Sequence, residues 1–139
     1  MSARPTDALF ATARDVLLAT LPHAQAIYAF GSFSRGDAWP GSDLDLAVLL
    51  PPGQAYPDKL DLMAKVSERV GLTVDLVNLR QAGLDLIHEV LRDGQLLFTR
   101  DAAETLVWEA ERMTDYEDFS RRRADLVAMY MREPLRAPQ

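Results

Sequence analysis

Residues 43–50 read DLDLAVLL, a run that alternates at first and then becomes continuously apolar. Such a run is a strand, and its uninterrupted second half marks a central one. The chain must therefore build layers around it, and 139 residues suffice for one core rather than two. Further β-prone runs stand at 26–30 (AIYAF), 73–79 (TVDLVNL) and 95–99 (QLLFT). Helical spacing predicts helices over 7–21, with Thr6 as N-cap and Pro22 beyond the end, and over 57–71, with Leu60, Met63, Ala64 and Val70 on one face. It predicts a third over 82–94, closed by Gly94, and a long one from about 102 to 131, opened by the capping-box spacing of Asp101 and Glu104. Pro134 and Pro138 mark a tail. The order helix, strand, strand, helix, strand, helix, strand, helix predicts an α/β (α+β) fold, a small mixed β-sheet flanked by helices. With no linker or internal repeat, the expectation is a single domain over 1–139, its core at about 7–100 and a C-terminal helix at about 102–131.

Composition narrows the function. The chain is 48% hydrophobic and carries a net charge of −6, which suits a folded domain and disfavours sequence-independent binding to nucleic acid. It has no cysteine, so disulfides and thiolate-bound zinc are excluded. The first ten residues lack a signal peptide's apolar segment, and no apolar run approaches a membrane span, so the expected location is cytoplasmic.

The first half of the 43–50 strand is the anomaly. Residues i and i+2 of a strand share a face, so Asp43 and Asp45 project together while Leu44, Leu46 and Val48 face the core. Two adjacent carboxylates repel each other and are poor strand formers. A divalent cation removes that penalty, and hard oxygen ligands suit Mg²⁺. Asp75 is a third acid inside an apolar strand, and it reaches the same place if the two strands pair. Three converging carboxylates suit two metal ions. Upstream, Gly31 ends a strand where the backbone must turn and leave room for a bulky group. The backbone N–H groups around Ser32 can then bind phosphate oxygens, particularly if a helix starts there, and Arg35 can add a charge-assisted bond. A metal-binding pair beside a phosphate cradle implies phosphoryl or nucleotidyl transfer from a nucleoside triphosphate.

The stretch GSFSRGDAWPGSDLDLAV resembles the Gly-Ser, ten-residue spacer, Asp-x-Asp signature of the polymerase-β-like nucleotidyltransferase superfamily. The short loop, with Arg35-Gly36 and Ser42 before the acids, is similar to minimal nucleotidyltransferases, including the antitoxins paired with HEPN-type toxins. The likeness extends through VDLVNL, EVLRDGQLLF and DYEDF, so it covers roughly residues 25–120. It implies an Mg²⁺-dependent enzyme that moves NMP from NTP to a hydroxyl and releases pyrophosphate. Gly31 and Ser32 would hold the triphosphate, Asp43 and Asp45 would ligate both metals, and Asp75 would be the third carboxylate, helping to deprotonate the acceptor. ATP as the nucleotide also comes from the resemblance.

Plainer roles exist for several of these residues. Asp75 can be a surface acid on an edge strand, and Arg35 can pair with Asp37 or Asp43 instead of a phosphate. His23 and His88 have no metal-ligand spacing and read as structural. Trp108, Met113, Tyr116 and Phe119 recur along the last helix as a core or oligomer-interface stripe. After a core of about 100 residues, nothing resembles an acceptor pocket, so a second polypeptide is expected to supply the acceptor. The leading expectation is an antitoxin that transfers AMP from ATP to a hydroxyl, by resemblance a tyrosine, of a HEPN-type RNase toxin encoded nearby, in a homo- or hetero-oligomer. The alternatives are a binding module that neutralises the toxin by occlusion and a free-standing transferase for a small, aminoglycoside-type substrate.

Overall fold

The computed structural model describes residues 5–132, so Pro134 and Pro138 lie outside the described residues. The elements are α1 (Pro5–Thr20), β1 (Ala26–Phe30), α2 (Ser32–Arg35), β2 (Leu44–Leu49), α3 (Lys59–Val70), β3 (Val74–Asn78), α4 (Leu84–Asp93), β4 (Gln95–Thr99) and α5 (Ala102–Arg132). The strands form one sheet in the order β3-β2-β1-β4. Strand β1 is antiparallel to both β2 and β4, whereas β2 and β3 are parallel. The sheet is therefore mixed, and the DLDLAVLL run takes an inner position, as its apolar second half requires. A parallel pair needs a crossover, and α3 supplies it.

Strand alternation divides the core in two. One face presents Ile27, Ala29, Leu44, Leu46, Val48, Val74 and Leu76 to α1 and α3, where Phe10, Ala13, Leu17, Leu62 and Val66 are buried against them. The opposite face presents Ala26, Tyr28, Phe30, Ala47 and Leu49 to Ile87 and Val90 of α4 and Trp108 of α5. Burial of these apolar side chains holds each helical layer to the sheet, at about 25 cal/mol per Å² removed from water.

Several local expectations are corrected. Helix α1 already includes Pro5, so Thr6 lies in its first turn rather than at its N-cap. Helix α3 begins after Asp58, whose side chain accepts from Asp61 N–H at 3.0 Å, and it buries Leu62 and Val66. Leu60 is 77% exposed and Ala64 is exposed as well, so the core-facing stripe is rotated from the expected one. At the start of α5, Asp101 accepts from Glu104 N–H at 3.1 Å, but the Glu104 carboxylate turns to Gln25 Nε2, also at 3.1 Å, so half of the capping box forms. The α5 stripe is core only at Trp108; Tyr116 stacks on His88 with ring centroids 3.7 Å apart, and Met113 points to solvent. The single turn α2 has no counterpart in the periodicity, because four residues are too few to show one.

Candidate active site

The site lies at the end of the sheet where β1 stops and β2 and β3 begin. Phe30 is opposite Asp45 in the β1–β2 register, which brings the next residue, Gly31, against the Asp45 carboxylate. Gly31 has φ 74° and ψ −155°, a conformation that L side chains rarely adopt. A Cβ there would collide with Asp45 Oδ2 and come within 3.1 Å of its Cγ, so glycine keeps this carboxylate free. Gly31 also caps α2, whose start is satisfied by no side chain. The first N–H groups of a helical turn have no intrahelical acceptor and face outward, as an anion cradle requires. Ser34 anchors the turn by donating to the Asp93 carbonyl at 2.8 Å, and Gly36 closes it with its N–H on the Ser32 carbonyl at 3.0 Å.

The parallel register sets Asp45 directly opposite Asp75. Asp43 immediately precedes β2 and is exposed, while Asp45 is half-buried. Asp75 is exposed on the edge strand, with Oδ1 accepting from Leu76 N–H at 3.0 Å. Burial pushes the Asp45 carboxyl up to about 6, and the charges of Asp75, Asp43 and Glu89 push it the same way, against the opposing pull of Arg35. The site is thus a concentration of negative charge with one cation nearby. Arg35 itself pairs with Asp37 at 3.3 Å while its guanidinium also helps hold the Asp93 carboxyl below its usual range, after the larger effect of the Arg92 hydrogen bond.

All six residues singled out from the sequence, Gly31, Ser32, Arg35, Asp43, Asp45 and Asp75, fall at this end of the sheet. Glu89 was missed. It opens the stretch EVLRDGQLLF on an amphipathic helix, and only the packing of α4 across the sheet directs its charge at Asp45. Among the described residues, no group of three or more His, Asp or Glu side chains closes around a single metal position. The donor set is nonetheless entirely carboxylate oxygen, the hard type that Mg²⁺ prefers, and its excess charge calls for a cation. A cavity of about 400 Å³ lined by Gln25, Arg100, Asp101 and Glu104 lies at the opposite end of the sheet and includes none of Asp43, Asp45 and Asp75.

A mixed sheet that joins a Gly-Ser turn on one strand to paired carboxylates on the next defines a nucleotidyltransferase domain. Residues 16–103 match the polymerase beta, nucleotidyltransferase family, and the chain belongs to that family. Within it, the chain is similar to the protein adenylyltransferase MntA of Shewanella oneidensis, 36% identical over 78 residues. That alignment spans 56% of each chain, about half the length of the relative. Among solved structures, a toxin–antitoxin with AMP-PNP superposes with a TM-score of 0.78 at 26% identity, covering 88% of this chain and 98% of the other. The MNT antitoxin in complex with the tri-AMPylated HEPN toxin of Shewanella oneidensis superposes with a TM-score of 0.73 at 25% identity, covering 90% and 98%. No helix among the described residues is long and apolar enough to cross a membrane.

Proposed function

We propose that this chain is a cytoplasmic, single-domain protein adenylyltransferase that acts as the antitoxin of a HEPN-type RNase toxin, moving AMP from ATP to a tyrosine hydroxyl of that toxin. The observation that carries this is the parallel register of Asp45 with Asp75, beside a Gly31 turn where a Cβ would collide with the Asp45 carboxylate. The similarity to MntA and to the AMP-PNP-bound and AMPylated complexes supports the nucleotide and the partner.

In this mechanism the N–H groups at Gly31 and Ser32, with the Ser32 hydroxyl, hold the triphosphate oxygens, and Arg35 adds positive charge at the same end. Asp43, Asp45 and Asp75 would hold two Mg²⁺ ions, which when bound neutralise the carboxylates and the developing charge on the phosphates. Asp75 takes the proton from the acceptor hydroxyl. The hydroxyl oxygen bonds to the α-phosphorus, the bond from that phosphorus to the bridging oxygen breaks, and pyrophosphate leaves with its electron pair. Burial and the neighbouring acids make the Asp45 carboxyl of the ligand-free chain hold its proton more tightly than an ordinary carboxyl, so a cation that binds there competes with that proton.

Intact-mass analysis tests this directly. The HEPN-type protein encoded beside this chain, incubated with the chain, ATP and Mg²⁺, should gain whole AMP units, and the Asp43→Ala/Asp45→Ala variant should add none. A tight complex with no mass gain would replace transfer with occlusion.

A further inference from the structure

We propose that the free end of α5, residues 119–132, is the docking helix for the partner protein, which meets it with an apolar helical ridge flanked by carboxylates. The proposal rests on the function above only for the class of partner.

At 1.5 Å per residue, the 31 residues of α5 span about 46 Å, far more than the rest of the domain can cover. Its first part is packed: Thr105 and Trp108 are buried, Tyr116 stacks on His88, and Arg123 reaches Asp85 at 3.3 Å. Later residues of α5 thus meet earlier residues of α4, so the two helices run antiparallel. Helix α4 begins at Leu84, and beyond Arg123 α5 has outrun it.

The inward stripe does not stop there. Positions 105, 108, 112, 116, 119 and 123 advance by three or four, and the same steps lead on to Leu126 and Tyr130, with Val127 beside them. Leu126 is 56% exposed, Val127 52% and Tyr130 64%, and Met129 and Met131 are exposed as well. A core-facing stripe that continues past its own core has a surface to meet on another body, because apolar side chains gain nothing from projecting into water.

Charge selects the occupant. Arg121 lies 4.0 Å from Asp118 and Arg123 pairs with Asp85, which leaves Arg122 and Arg132 against Asp125 on this end of the helix, a positive excess within a chain whose net charge is −6. A second copy laid on this segment would set like charges against each other, whereas a partner with carboxylates beside its apolar ridge complements it. A flat bilayer is disfavoured by shape, since the stripe lies on the α4 side of the helix, in the step left where α4 ends. A partner helix can enter that step.

The test uses the full chain and the HEPN-type protein encoded beside it. Leu126→Glu/Tyr130→Glu should weaken the complex about 30-fold or more by calorimetry, as loss of central apolar anchors does. Arg121→Glu/Arg122→Glu should chiefly slow association. Both variants should keep the wild-type melting curve and ATP binding, and the wild-type chain alone should run as a monomer in light scattering. Unchanged affinity in both variants, or no binding by the wild type, overturns the proposal. So does a wild-type dimer, or pelleting with phosphatidylserine vesicles, that the Leu126→Glu/Tyr130→Glu variant abolishes. A complex that forms, loses affinity in the variants and yet shows no AMP transfer would sustain this surface and refute the transferase.

Discussion

Asp45 stands in the sheet at a cost to the fold. Its carboxyl is raised to about 6 by burial and by the neighbouring acids, so the folded state holds its proton more tightly than the unfolded chain does. The stability this contributes is fully present below about pH 4 and is lost as pH rises through about 6. Asp45→Asn should therefore stabilise the ligand-free chain at pH 7.5, by on the order of 1 kcal/mol after allowance for solvent screening, with the gain vanishing toward pH 4. Urea melts at the two pH values check the sign. Gly31 gives a second test. Gly36→Ala, at φ 83° with open space around its Cβ, should lose about 1–2 kcal/mol from backbone strain alone. Gly31→Ala, at φ 74° and in collision with Asp45, should lose more, as denaturant midpoints will show. At this scale much was legible: the Asp-x-Asp pair and the Gly-Ser turn are anomalies that propensity alone rejects. Glu89 was not, because an acid on an amphipathic helix is ordinary until packing decides what it faces.

Helix α3 shows where pattern reading fails at the scale of the element. Its sequence KLDLMAKVSERV supports two overlapping stripes, and spacing alone does not choose between them. The cap at Asp58 sets the helix start, and the docking of α1 against the same sheet face then selects Leu62 and Val66 as the buried pair. Leu62→Ala should cost about 2–5 kcal/mol, whereas Leu60→Ala should change stability by less than about 0.5 kcal/mol. Thermal melts of the two variants compare them directly, and equal losses would mean the helix is rotated. The strands were easier to read, because period-two alternation and the continuous apolar run each leave one arrangement that buries them. The turn α2 left no periodic trace, although the glycines at 31 and 36 bracket it.

For the whole molecule, assembly of the acid cluster makes a measurable demand for a cation. Mg²⁺ with ATP should raise the melting temperature of the wild-type chain, with a gain that grows with ligand concentration as binding linkage requires. Asp43→Ala/Asp45→Ala should abolish that gain, and chelation by EDTA should reverse it in the wild type. The sequence by itself determined which segments become the four strands and the four longer helices of the described residues, that one strand is central, and that two acids lead this strand downstream of a Gly-Ser turn. Those properties reside in local spacing and in the penalties of individual residues. Only the tertiary structure decided that β3 pairs in parallel with β2, setting Asp75 against Asp45, that Gly31 meets the Asp45 carboxylate, and that α5 outruns α4. Each of these depends on contacts between segments far apart in the chain, where strand order, helix rotation and overhang follow from joint burial and from no residue's own preference.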